Sequence, residues 1–285
     1  MSDELLKRRK KDMSRLRPVV KVLVVYFLLV LLGLLCAGPF LWLLGTSLKS
    51  GQNIYDISLF IKAPTLQNYS GVMSFMPMPR YMLNTIIITG GGIIIDIVFS
   101  SLCAYPLAHM KFWGKRVIFG ALISTMILPC AAGLVVNYLT ISRLGLLDKY
   151  MGAVLPGAVS VFSIILIRQA YLSIPKEMIE AAKIDGASEL RIWYGIMLPE
   201  IMPVISTVII FDFISKWNAF LWPIIVFQDP AMYPVATALK YLMGQFNYKF
   251  GYIAAGTVLS VIPVIAVFVA FQKYFVNTIA GAVKG

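Results

Sequence analysis

Charge is scarce in this chain: of 285 residues 13% are charged and 59% hydrophobic, where a soluble domain carries about a quarter charged and about half apolar. An ordinary soluble fold is excluded on that balance. Metal-ligating chemistry is scarce too, with one histidine, His109, and three cysteines, Cys36, Cys103 and Cys130. A lone histidine beside Lys111, without Cys, Asp or Glu partners at ligand spacing, makes no metal site and reads as an ordinary residue at a membrane interface. The cysteines fall inside apolar runs as small fillers, so neither a disulfide nor a metal is expected. No phosphate-binding GxxxxGK[ST] loop is present: the Gly114-Lys115 pair has His109 where the upstream glycine would stand. No catalytic dyad or triad is visible. Any work done by this chain needs energy from a partner.

What is abundant is uncharged length. Val22 to Leu44, Val117 to Ile141, Met151 to Ile167 and Ile253 to Phe271 carry no charge over 23, 25, 17 and 19 residues, and a helix spans a bilayer with about 20. Two further runs reach that length around Asp96 and around Asp212 with Lys216. The expectation is an all-α membrane protein with six transmembrane helices at about 22–45, 83–108, 117–141, 151–170, 201–227 and 253–273. A basic N-terminus, 1–21, precedes a single transmembrane domain, 22–285.

Lys and Arg near helix ends stay on the cytoplasmic side. With both termini cytoplasmic, 17 of the 25 basic residues fall inside, seven outside and one, Lys216, within a helix. The net charge of +12 is thereby assigned to topology and anionic membrane lipids, and not to nucleic acid. The basic start, Lys7 to Lys11, resembles a signal-peptide n-region. The apolar run behind it is too long for one and reads as an uncleaved anchor.

Three loops exceed what topology needs. The first outer segment, Lys49 to Met82, is rich in proline and polar residues, and the second, Gln228 to Gly251, suits a short re-entrant or partner-contacting loop. The third, 171–200, is cytoplasmic and uses about thirty residues where a turn needs a few. It reads as two short helices: KEMIEAAKID after Pro175, a stop at Gly186, then ASELRIWYGIML up to Pro199. Proline at the start and glycine just past the end is the expected punctuation. Met178, Ala181 and Ala182 share one small apolar face of the first helix, as a helix built for docking would.

Glu180-Ala181-Ala182, then Gly186, Ile196 and Leu198-Pro199 at their spacing resemble the EAA loop of binding-protein-dependent ABC importer permeases, with every position of that pattern filled. TSLKS (46–50), APTLQNY (63–69), NTIII (84–88), WNAFLWP (217–223) and GAVKG (281–285) are similar to the carbohydrate group of that family, typified by the maltose transporter's smaller permease. The resemblance implies a type I ABC importer permease fold in the cytoplasmic (inner) membrane of a bacterium or archaeon. It implies import of a sugar or oligosaccharide. The implied partners are a cytoplasmic ABC ATPase dimer carrying ATP and Mg, a second homologous permease subunit and an extracytoplasmic solute-binding protein; no cofactor belongs to this chain. By similarity, Glu180 and its helix enter a cleft on the ATPase, Gly186 makes the turn between the loop helices, Gln228 to Gly251 meets the binding protein and GAVKG reaches toward the ATPase.

Polar groups inside spans are costly and mark a path by default. Asp96, Asn137, Asp212, Lys216, Trp217 and Asn218 are the candidates for translocation. Asp212 and Lys216, acid first at i and i+4, suit either an intrahelical pair or a lining role. Trp222 beside Pro223 suits the interfacial aromatic belt, and Gly90, Gly91 and Gly92 suit close helix packing. A permease for another solute, or an ion-coupled transporter using Asp96 and Asp212, is the alternative.

Overall fold

The computed structural model describes residues 2–49, 63–245 and 250–283, with side chains described for all of these except 2–20, 130, 245 and 273–283. The described residues form helices, mostly α with short 3-10 segments and one π-helical turn at Trp193–Met197, and one isolated bridge between Lys49 and Pro64. In chain order they are α1 (Ser2–Ser47), α2 (Gln67–Phe75), α3 (Met78–His109), α4 (Lys115–Thr125), α5 (Leu134–Arg143), α6 (Tyr150–Val154) and α7 (Val161–Leu172). There follow α8 (Lys176–Ile184), α9 (Glu189–Ile192), α10 (Leu198–Glu200), α11 (Met202–Trp217), α12 (Leu221–Val226), α13 (Val235–Gln245) and α14 (Phe250–Val283). The chain divides into two compact units, Met1–Gly71 with Tyr248–Val258, and Val72–Asn247 with Leu259–Gly285.

In the first unit α1 presents apolar side chains all round from Val22 to Leu35, with Leu23, Phe27 and Leu35 each at least 63% exposed. A helix apolar on every side is at home in lipid or against a partner. Its last carbonyls lack intrahelical donors, and Asn68 on α2 supplies them, its amide donating to Ser47 O at 3.0 Å and Lys49 O at 2.7 Å. The ring of Tyr252 lies on Gly71, where a side chain would collide with it.

In the second unit α3 is the central element, packed by α7, α11, α6 and α13. A buried cluster runs along one end of it, where Ala104, Tyr105 and Ala108 meet Ile164, Ile167 and Tyr171 of α7 and Ile205 and Val208 of α11. The base of the loop 171–200 belongs to that cluster, through Ile174, Ile179, Ala182, Ile192 and Met197.

The spans differ from the uninterrupted helices expected. Among the described residues, Lys21–Ser47, Met78–His109 and Phe250–Gln272 are long and apolar enough to cross a membrane, and the number is up to five if each of two bent pairs counts as one span. The stretch expected as one helix over 117–141 is two helices of 11 and 10 residues with a 3-10 turn, Cys130–Gly133, between them. Pro129 causes the break: it has no N–H to donate, disfavours α geometry in the residue before it, and itself sits at ψ 131°. The 151–170 stretch bends by 56° between Tyr150–Gly157 and α7, across residues 158–160 just past Pro156 and Gly157. The 201–227 stretch stops at Trp217, capped by Asn218, and resumes as α12. The tail 284–285 of GAVKG lies outside the described residues.

Candidate functional site

The loop 171–200 is built by its own sequence. Pro175 caps α8 on its N-terminal side. At the other end Gly186 adopts φ +73°, and two bonds close the helix: Ala187 N–H to Ala182 O at 2.9 Å and Gly186 N–H to Lys183 O at 3.1 Å. That pair is the Schellman motif, in which the residue past the cap must be left-handed. Nothing lies within 4 Å of a Cβ built at Gly186, so backbone conformation and not space demands glycine there.

The motif residues divide by face. Ala182 is buried in this chain's own cluster beside Ile179, and Ile196 and Leu198 pack against the same cluster half-buried. Glu180, Ala181, Gly186 and Pro199 are exposed. Ala182 therefore does not belong to the free face on which the sequence reading placed it with Met178 and Ala181; α8 needs one stripe to hold it down. The free face has a side chain that the reading passed over, Ile184, 86% exposed at the tip of α8. An isoleucine left open in the last turn of a charged helix was the available signal.

Glu189, at the start of α9, was also missed. One carboxylate oxygen accepts the Tyr105 hydroxyl at 2.6 Å and the other pairs with Lys183 Nζ at 2.7 Å. The hydrogen bond from Lys183 and then that from Tyr105 hold its carboxyl below the usual carboxylate range, against a smaller opposing effect of burial. His109 on α3 meets Tyr171 O at 2.8 Å.

Between α3, α5, α6, α11 and α12 lies a cavity of about 470 Å³. Asn137, Asp212 and Lys216 line it, together with Ser215 and Trp222. Lys216 Nζ bonds Asp212 Oδ2 at 2.8 Å, so the two charges reach the cavity as a neutralised pair. The Lys216 chain lies against Gly92, where a Cβ would stand 2.6 Å from Lys216 Cε. Gly90 and Gly91 face open space. Trp222, expected in an interfacial belt, turns its indole N–H to Gly152 O at 3.1 Å and faces the cavity.

The other three path candidates do not line it. Asp96 is fully buried and accepts from Ser100 Oγ at 2.7 Å, Ser163 Oγ at 2.6 Å and Ser160 N at 2.7 Å. Ser160 is the N-cap position of α7, so the carboxylate pins the bend between α6 and α7 to α3 through three donors. Trp217 is buried, stacks on Phe213 at 5.0 Å and donates its indole N–H to Ser260 O at 3.1 Å. Asn218 is exposed and bonds Ile214 O at 2.8 Å, ending α11.

At the opposite end of α3 from the 171–200 loop, polar side chains fasten the segment 226–235. Asn84 donates to Ala231 O at 2.9 Å and Tyr233 O at 3.0 Å and accepts from Tyr150, while Thr85 Oγ1 accepts Val235 N at 2.8 Å. Asp148, left-handed at φ +55°, accepts Gln228 N at 2.6 Å and Asp229 N at 3.0 Å. The second long loop is thus an anchored turn followed by the helix α13.

Helices long and apolar enough to cross a membrane, a polar-lined cavity between helices and an exposed helix on a long loop together suit a membrane permease. Residues 96–281 match the family model described as binding-protein-dependent transport system inner membrane component. The chain belongs to that family, and is an integral membrane permease of the ABC importer class. It is 29% identical over 273 residues, 92% of this chain and 95% of the other, to the arabinooligosaccharides transport system permease protein AraQ of Bacillus subtilis. To the melibiose/raffinose/stachyose import permease protein MelC of Bacillus subtilis it is 30% identical over 251 residues, 87% of this chain and 91% of that one. Among solved structures, a chain of a bacterial ABC transporter that imports the acidic polysaccharide alginate superposes with TM-score 0.78 and 27% identity, covering 90% of this chain and 96% of that chain. A chain from an alginate transporter in complex with its alginate pentasaccharide-bound periplasmic protein shares the fold, with TM-score 0.60 and 17% identity over 95% of this chain and 96% of that one.

Proposed function

We propose that this chain is one of two permease subunits through which an ATP-driven importer moves a sugar or oligosaccharide across a bacterial or archaeal cytoplasmic membrane. In this reading residues 1–21 and the C-terminus are cytoplasmic, the domain 22–285 crosses six times, and the stretch 117–141 crosses as the broken pair α4 and α5. An extracytoplasmic binding protein delivers the sugar to the face bearing 228–251, and an ATPase dimer holding ATP and Mg sits against the loop 171–200. Relatives named for oligosaccharide and raffinose-type sugars support the substrate class.

One observation carries the proposal: α8 is gripped by its own chain along Ile179 and Ala182 and leaves Glu180, Ala181 and Ile184 free. Glu180 offers a charge to a basic partner and Ile184 an apolar knob. Ala182, Gly186, Ile196, Leu198 and Pro199 shape the loop that presents them. The translocation path runs past Asn137, Asp212 and Lys216, with Trp222 as a platform for a sugar ring. Their polar groups suit hydroxyls, and the Asp212–Lys216 pair brings no net charge.

The test is co-purification of the ABC ATPase with this permease from membranes of its native host. Glu180→Ala with Ile184→Ala should lower the ATPase recovered per permease by about tenfold, a loss of about 1.4 kcal/mol, with permease in the membrane at wild-type level. Full recovery of ATPase by the double variant would remove the docking role.

A further inference from the structure

We propose that Glu189 is a positioning residue that ties the docking helix α8 to the central helix α3, so that a push on α8 reaches α3 through hydrogen bonds as well as through packing. The proposal rests on the functional reading above and adds a route to it. Three elements meet at one carboxylate: Tyr105 of α3 donates its hydroxyl to one oxygen at 2.6 Å, and Lys183 of α8 pairs with the other at 2.7 Å, while Glu189 itself opens α9. Tyr105 is 4% exposed, with its ring edge against Tyr171 at 6.1 Å. Its hydroxyl is thus held at a fixed place by a packed ring, and the carboxylate must come to it.

Folding does not need this junction. The loop is closed by the Gly186 turn and held by Ile179, Ala182, Ile192 and Met197 in the cluster. The ion pair is about half exposed on both sides, at 51% and 44%, and pairs so exposed add little stability. What it does instead is fix orientation. Apolar packing is non-directional, whereas two directed bonds from one carboxylate fix how α8 lies relative to α3.

The test uses the complete complex of both permeases, ATPase and binding protein in proteoliposomes, reading sugar taken up per ATP hydrolysed. Glu189→Gln removes the charge at constant shape, Tyr105→Phe removes one hydroxyl, and Glu189→Asp keeps the charge but is one methylene too short to reach both partners. Each should leave permease level and ATPase recovery at wild type and ATP hydrolysis running. Sugar moved per ATP should fall at least about fivefold, the low end of coupling between linked sites. The Tyr105→Phe, Glu189→Gln double variant should be no worse than the singles, since both cut one link. Should Tyr105→Phe accumulate poorly, the exposed Glu189 variants decide alone. Unchanged stoichiometry in the Glu189 variants overturns the proposal, as does a loss of transport matched by an equal loss of assembled complex, which is a structural role only. A wild-type complex that moves no sugar on ATP overturns instead the functional reading beneath it.

Discussion

Gly186 shows how one residue can be required for its backbone alone. Its surroundings leave room for a side chain, yet φ +73° closes the Schellman turn, and an L-residue there costs about 1–2 kcal/mol, more when β-branched. Gly186→Asn, which tolerates left-handed geometry, should keep most substrate-stimulated ATP hydrolysis. Gly186→Val should lose most of it, though its side chain is no obstacle. Equal activity of the two variants would show that the turn is not what the glycine supplies. This requirement was legible in the sequence from Gly186 following a short amphipathic run, as was Pro175 before it. Glu189 was not legible, because its partner Tyr105 is 84 positions away and nothing local marks a carboxylate that reaches another helix. Lys216 and Asp212 were readable as an i, i+4 pair; that the lysine lies against Gly92 needed the fold.

At the scale of elements, hydropathy located the apolar segments and misjudged their continuity. Runs without charge look the same whether straight or broken, and Pro129, Pro156 and Gly157 sit within such runs. Their breaks expose backbone groups that something must satisfy. Asp96 does this for α7, accepting Ser160 N as well as two serine hydroxyls. A buried acid in a span reads as a path residue from sequence, and here it has three donors to serve. Asp96→Ala should therefore destabilise the purified permease by about 3 kcal/mol, through donors left buried and unpaired, with Asp96→Asn milder. The check is thermal unfolding in detergent. An alanine variant as stable as wild type would mean those bonds contribute nothing net, and the bend between α6 and α7 would need another explanation.

For the whole molecule the sidedness is an expectation from charge that cysteine labelling can check. In a background lacking Cys36, Cys103 and Cys130, cysteines at the exposed positions Gln67 and Gln228 should react with an impermeant thiol reagent added outside intact cells, and one at Lys176 should not. Reaction at Lys176 with protection of the other two would invert the topology. In the proposed mechanism ATP hydrolysed by a partner acts through α8 to drive import along the cavity at Asp212 and Lys216. The most direct measurement is uptake of a labelled oligosaccharide by proteoliposomes of the full complex, with ATP on the ATPase side and binding protein on the other. Uptake should require hydrolysable ATP, survive collapse of proton and sodium gradients, and be lost in Gly186→Val. Uptake that continues without ATP and stops when an ion gradient is dissipated would contradict the mechanism.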